Sequence, residues 1–138
     1  MAGIEAFEQL AGQWTTEATH PFFPGVVVRG QASISWLEGR KFLIVRESND
    51  HQDFPDSISI IGDTDGMSMH YFDSRGVFRI YQTAITDRGW EFWRDDPEFS
   101  QRFVYRFEDG GNTVPGTGEM NRGEGWTEDL SKTYRRAR

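Results

Sequence analysis

Leu10-Ala11-Gly12-Gln13-Trp14 is the point at which this chain changes its period. Before it, residues 3–11 set Ile4, Phe7, Leu10 and Ala11 at helical spacing, with Glu5 and Glu8 on the other side. Gly12 closes the segment, as glycine commonly does after a helix. So short a helix has little stability alone and is expected to lie against one mouth of a larger structure. From Gln13 to the closing Tyr134-Arg135-Arg136, every segment reads as strand or turn.

Strands are predicted at about 13–19, 26–37, 40–48, 56–62, 67–72, 77–86, 89–95, 101–108, 112–120 and 126–136. Short Asp/Gly or Pro/Gly clusters separate them, among them Phe23-Pro24-Gly25, Asp63-Thr64-Asp65-Gly66, Asp73-Ser74-Arg75-Gly76 and Asp109-Gly110-Gly111. Roughly ten consecutive strands with tight links predict an all-β fold: an antiparallel up-and-down β-barrel with a short N-terminal helix, forming one domain over 1–138. Its first and last strands should meet near Trp14. The longer connections, 20–25, 49–55 and 95–100, are the expected places for a lid or an entrance.

Composition narrows the function classes. The chain has 138 residues, and 15 Lys and Arg against 22 Asp and Glu give a formal net charge of −7. That balance repels phosphate backbones and anionic membranes, so neither nucleic acid nor membrane is an expected partner. No cysteine is present, which removes disulfides, thiolate zinc ligation and cysteine nucleophiles. The N-terminal residues show no basic segment followed by an apolar run, and no stretch approaches the roughly 20 apolar residues of a membrane span. A cytoplasmic location is the resulting expectation.

Alternation sorts the side chains by face. In 26–37, Val26, Val28, Ala32, Ile34 and Trp36 share the apolar face; in 101–108, Phe103, Tyr105 and Phe107 do so. In 126–136, Trp126, Leu130 and Tyr134 are expected to face in, opposite Thr127, Asp129, Ser131 and Thr133. Strand 89–95 sets Trp90 and Phe92 on one face and carries Arg94 in with them. Strand 77–86 is ambiguous. Strand 40–48 is apolar on both faces through Phe42, Leu43, Ile44 and Val45, which predicts cover by the barrel core within and by the helix or a second subunit without, the latter as a homodimer.

The candidate ligand-binding set is therefore Trp36, Arg46, Tyr71, Tyr81, Phe92, Arg94, Phe103 and Tyr105. An arginine fork suits a carboxylate or enolate, and burial strengthens that interaction. The alternative for Arg46 and Arg94 is an internal ion pair, with Glu128 or Glu119 as partner. Tyr71, Tyr81 and Tyr105 are inward phenols able to hydrogen-bond a ligand or donate a proton; the alternative is that they fill the core with locally satisfied hydroxyls. His70 is a general-base candidate by its chemistry, but it falls out of phase with Met67, Met69 and Tyr71. His20, His51 and His70 are too dispersed for a metal site, and neither a nucleophile elbow nor a dinucleotide fingerprint occurs, so no cofactor is expected.

A helix, then Gly12-x-Trp14, then an all-β run ending in a basic strand resembles the calycin superfamily of lipocalins and fatty-acid-binding proteins. The resemblance implies that Trp14 packs at the closed end beneath an arginine of the last strand, Arg135 or Arg136. Leu10–Trp14, Trp36–Leu43 and His70–Gly76 look like an uncharacterised bacterial family of lipocalin-like proteins. Two departures count against familiar ligands of the superfamily. No histidine follows His70, where haem-binding nitrobindins carry a late proximal histidine. Only 20–25 occupies the place where fatty-acid-binding proteins insert a helix pair.

These readings predict a protein that binds a small, mostly apolar and conceivably acidic molecule in its barrel. The alternative is a cofactor-independent enzyme, a cyclase or isomerase, working through Tyr81, Arg94 or His70. A third reading is a barrel filled by its own side chains that acts through its outer surface.

Overall fold

A computed structural model describes residues 3–137; Met1, Ala2 and Arg138, at the ends of the expected 1–138 domain, lie outside the described residues. Ten strands follow an N-terminal 3-10 helix, Ile4–Leu10. They are β1 (Gly12–Thr19), β2 (Val28–Trp36), β3 (Phe42–Asn49), β4 (Ser57–Asp63), β5 (Met67–Asp73), β6 (Phe78–Ile85), β7 (Gly89–Arg94), β8 (Ser100–Arg106), β9 (Thr113–Asn121) and β10 (Trp126–Arg136). All expected strands are present, with ends displaced by no more than two residues.

Each strand pairs antiparallel with its sequence neighbours, and β1 pairs with β10 to close the barrel. The closing register sets Trp14 opposite Arg136. Closure removes exposed sheet edges and makes the interior a separate compartment.

One end of that compartment is plugged. Phe7 and Leu10 of the helix are buried with Trp14, Ile34, Leu43 and Ile61. The Trp14 indole donates to Leu10 O at 2.9 Å, and the Arg136 guanidinium lies 4.1 Å from the Trp14 ring centroid. Arg136 also donates to Ala11 O at 2.8 Å, Gln9 O at 3.2 Å and Asn112 Oδ1 at 3.1 Å, satisfying carbonyls at the helix end. Gly12 is required here: its φ is +135°, and a Cβ would stand 2.7 Å from Arg136 Nη1. Of the two arginines that the resemblance offered, Arg136 is the one over Trp14.

The opposite end is built from the connections 20–27, 50–56, 74–77, 95–99 and 122–125. An aromatic cluster covers part of it, with Phe23 5.4 Å from Phe54 and His20 4.7 Å from Phe22 between ring centroids.

Candidate functional site

Between plug and mouth lies a cavity of about 390 Å³. That volume is within the range of small-molecule sites, roughly 300–1,000 Å³. Its wall on one side is a run of near-parallel rings from β7 and β8. Phe92 lies 4.7 Å from Phe103 with planes 24° apart, and Trp90 lies 5.2 Å from Tyr105 at 28°. Gly116 and Gly118 on β9 make this wall possible, because a Cβ at either position would collide with the Tyr105 or Phe103 ring.

The lumen is not purely apolar. Tyr81 donates to Gln101 Oε1 at 2.7 Å, Gln101 donates to Asp129 Oδ2 at 2.8 Å, and His20 Nε2 meets Asp129 Oδ1 at 3.1 Å. His20 Nδ1 accepts the Phe22 N–H at 3.1 Å, so Nε2 is the nitrogen that donates to Asp129. Beside this relay, Lys132 Nζ is 2.6 Å from Glu47 Oε1, and Tyr134 donates to Glu47 Oε2 at 2.9 Å. At the mouth, Asp73 receives Tyr71 at 2.7 Å and the Arg75 guanidinium at 2.7 and 3.2 Å.

These environments fix protonation states. Burial works against the Asp73 carboxylate, but the hydrogen bonds from Arg75 and Tyr71 outweigh it and hold its pKa down at about 2. The four lumen phenols all move up. Burial raises Tyr71, reinforced by Asp73, and raises Tyr105 and Tyr134, reinforced by the Glu47 charge. Burial also raises Tyr81, against the opposing fields of Arg79 and Arg94. All four therefore stay neutral. Tyr71, Tyr81 and Tyr134 donate hydrogen bonds to Asp73, Gln101 and Glu47, whereas the Tyr105 hydroxyl has no hydrogen-bond partner among the described residues.

Of the candidate set, Tyr71, Tyr81, Phe92, Phe103 and Tyr105 line the cavity. The other three stand elsewhere. Arg46 is exposed on the outside: Leu43, Val45 and Glu47 take the inner face of β3, so Arg46 alternates out, between Ser33 and Ile58. Trp36 keeps the inner phase of β2 but ends that strand at the plug, where its indole donates to Glu8 and Arg40 stacks on its ring at 4.6 Å. The hydrogen bond from the indole, and after it one from Arg40 Nη2 at 3.1 Å, lower the Glu8 pKa. Arg94 shares the face of Trp90 and Phe92 but reaches only the rim, 3.6 Å from Asp96. His70 is on the outer face, stacked on Phe78 at 6.2 Å.

Sequence reasoning missed Glu47, Gln101, Asp129, Lys132 and His20. Gln101 shares the phase of Phe103 and Tyr105, and Lys132 that of Leu130 and Tyr134, so both were readable. Asp129 was not, because a bulge between Glu128 and Ser131 shifts the register of β10 against β9. The shift turns Asp129 inward and leaves Trp126 outside under the Arg102 guanidinium, 3.9 Å from its ring, reversing both expectations.

The chain is a ten-strand closed antiparallel barrel with a plugged end, an open end and an internal cavity. The fluorescent protein UnaG, wild type, has a similar solved structure at a TM-score of 0.62 and 17% identity, covering 95% of this chain and 99% of that one. No family model matches the chain, and no curated protein matches it. Among the described residues no helix is long and apolar enough to cross a membrane.

Proposed function

We propose that this protein binds a small, mostly apolar molecule inside its barrel. The supporting observation is the aromatic-walled cavity of about 390 Å³, roofed by the loops that the sequence singled out as entrances. Within it the Tyr105 hydroxyl is the free donor for a polar group on the ligand, since the other phenols are engaged. N-phenyl-1-naphthylamine, an uncharged probe that fluoresces in apolar surroundings, tests the reading. Saturable binding is expected, abolished by Ser59→Trp, which fills the lumen; an absence of binding to the unaltered protein would overturn it.

We further infer a homodimer through the outside of β3–β6. Ile44, Ile60 and Ile80 line up there with His70, and Ile58, Phe72 and Phe78 form the next row. Phe78 and Ile80 are 54% and 51% exposed, a large apolar surface on a chain whose net charge otherwise repels its own copies. A second copy suits this face because a two-fold axis sets apolar row against apolar row, with Arg46 on β3 at the border of the second. Sedimentation should report a dimer that Phe78→Glu converts to a monomer; a monomeric parent protein at about 50 μM, a concentration typical of weak dimers, would refute it.

A further inference from the structure

We propose that the ligand is an amphiphile with an anionic end and that it sits head-out, its charged group at the mouth and its apolar body in the lumen. This rests on the binding reading above and adds to it a charge and a direction.

The mouth carries a collar of guanidinium groups around one ring. Arg122, Arg79 and Arg94 lie 4.8, 5.0 and 5.7 Å from the Phe99 centroid. They arrive from separate parts of the chain, β6, β7 and the turn after β9, so the convergence is tertiary and not a property of one charged segment. Arg79, Arg122 and Phe99 all line the cavity. Arg75 is answered by Asp73 and Arg94 by Asp96, but Arg79 and Arg122 enter no ion pair among the described residues, and the polar side chain beside Arg79 is the neutral Tyr81 phenol. On a chain of net charge −7, two unanswered cations beside a third are an unusual local excess. Their mutual repulsion is relieved by an anion shared between them, and guanidinium forks suit a carboxylate, sulfonate or phosphate.

The plug end of the lumen has the opposite character: Val45, Met69, Trp90 and Tyr105 line it and offer an anion no cation. Nearer the mouth, Lys132 is already taken by Glu47 at 2.6 Å, and Asp129 is answered by His20 and Gln101. The aromatic wall between the two ends accepts an apolar, flat body. An anionic head therefore has its complement only at the rim.

The test uses two probes of one skeleton, N-phenyl-1-naphthylamine and its sulfonate, 1-anilinonaphthalene-8-sulfonate. The sulfonate should bind the unaltered protein and be displaced by the uncharged amine. In R79Q/R122Q its affinity should fall about tenfold, the scale of a lost charge-assisted contact, while the amine binds as before and certifies the fold. In E47Q/K132Q, which neutralises that pair, sulfonate affinity should hold. An unchanged sulfonate affinity in R79Q/R122Q overturns the proposal. So does a loss confined to E47Q/K132Q, which would seat the anion at Lys132, or a failure of the amine to displace the sulfonate. Amine binding with any of those results leaves the cavity reading intact; no binding of either probe removes both.

Discussion

Both ends of this barrel set arginine against an aromatic ring, and the two ends use that pairing differently. At the plugged end, Arg136 covers Trp14 and donates to backbone carbonyls of the helix and to Asn112, so its hydrogen-bonding capacity is consumed within the protein. At the open end, Arg79 and Arg122 flank Phe99 and are answered by no carboxylate among the described residues. A guanidinium with its donors filled is a structural clamp; one with its charge unanswered is a receptor. The contrast separates the part of the molecule that holds the fold from the part left for a partner.

The sharpest way to break this contrast is to attack the clamp. Trp14→Ala should lower the unfolding free energy by about 3–5 kcal/mol, as for large aromatic truncations in cores, measured by urea denaturation. A loss below about 1 kcal/mol would mean the plug is not what holds the barrel. Lys132→Met should follow at about 3 kcal/mol, because it strands the Glu47 carboxylate in the lumen beside Tyr134. Adding Glu47→Gln to it should recover much of that loss. No recovery would show that the cost was one of packing and not of charge.

The plug was far more legible in sequence than the mouth, for a physical reason. Gly12-x-Trp14 followed by period-two strands encodes local backbone geometry, and local geometry survives in the order of residues. The aromatic wall was also legible, since Phe92, Phe103 and Tyr105 follow strict alternation. The polar lumen was not. Asp129 faces in because of one extra residue in β10, and a bulge leaves no mark on composition or pattern. Arg46 lay in a strand apolar on both faces, where alternation has no contrast to read. The collar around Phe99 joins residues of β6, β7 and the turn after β9, and only the pairing of β6 to β9 brings them together.

Asp73 tests the border between clamp and receptor, because its carboxylate answers Arg75 at the mouth. Its folded pKa of about 2 lies below the ordinary aspartate value of 3.8, so its contribution is complete above pH 4 and disappears as pH falls through 2. Asp73→Asn should therefore cost about 2 kcal/mol at pH 7, and the gap between the two proteins should close between pH 4 and 2. Urea midpoints taken across that range for both proteins measure it. A gap that stays constant with pH would show that the carboxylate is not ionised against Arg75.

The smallest expected effect is the most discriminating. Arg136→Gln should cost about 1–2 kcal/mol, since it empties several carbonyls at the helix end of their donor. Arg79→Gln should change stability by less than about 0.5 kcal/mol, as surface substitutions without structural partners do. Thermal or urea unfolding of the two variants side by side gives the comparison. If Arg79→Gln destabilised as much as Arg136→Gln, its donors would be in structural use and the mouth would be a second clamp. A near-silent Arg79→Gln means instead that the fold does not need the charge, and a cation held beside two others without a structural use has to be accounted for by something that binds there.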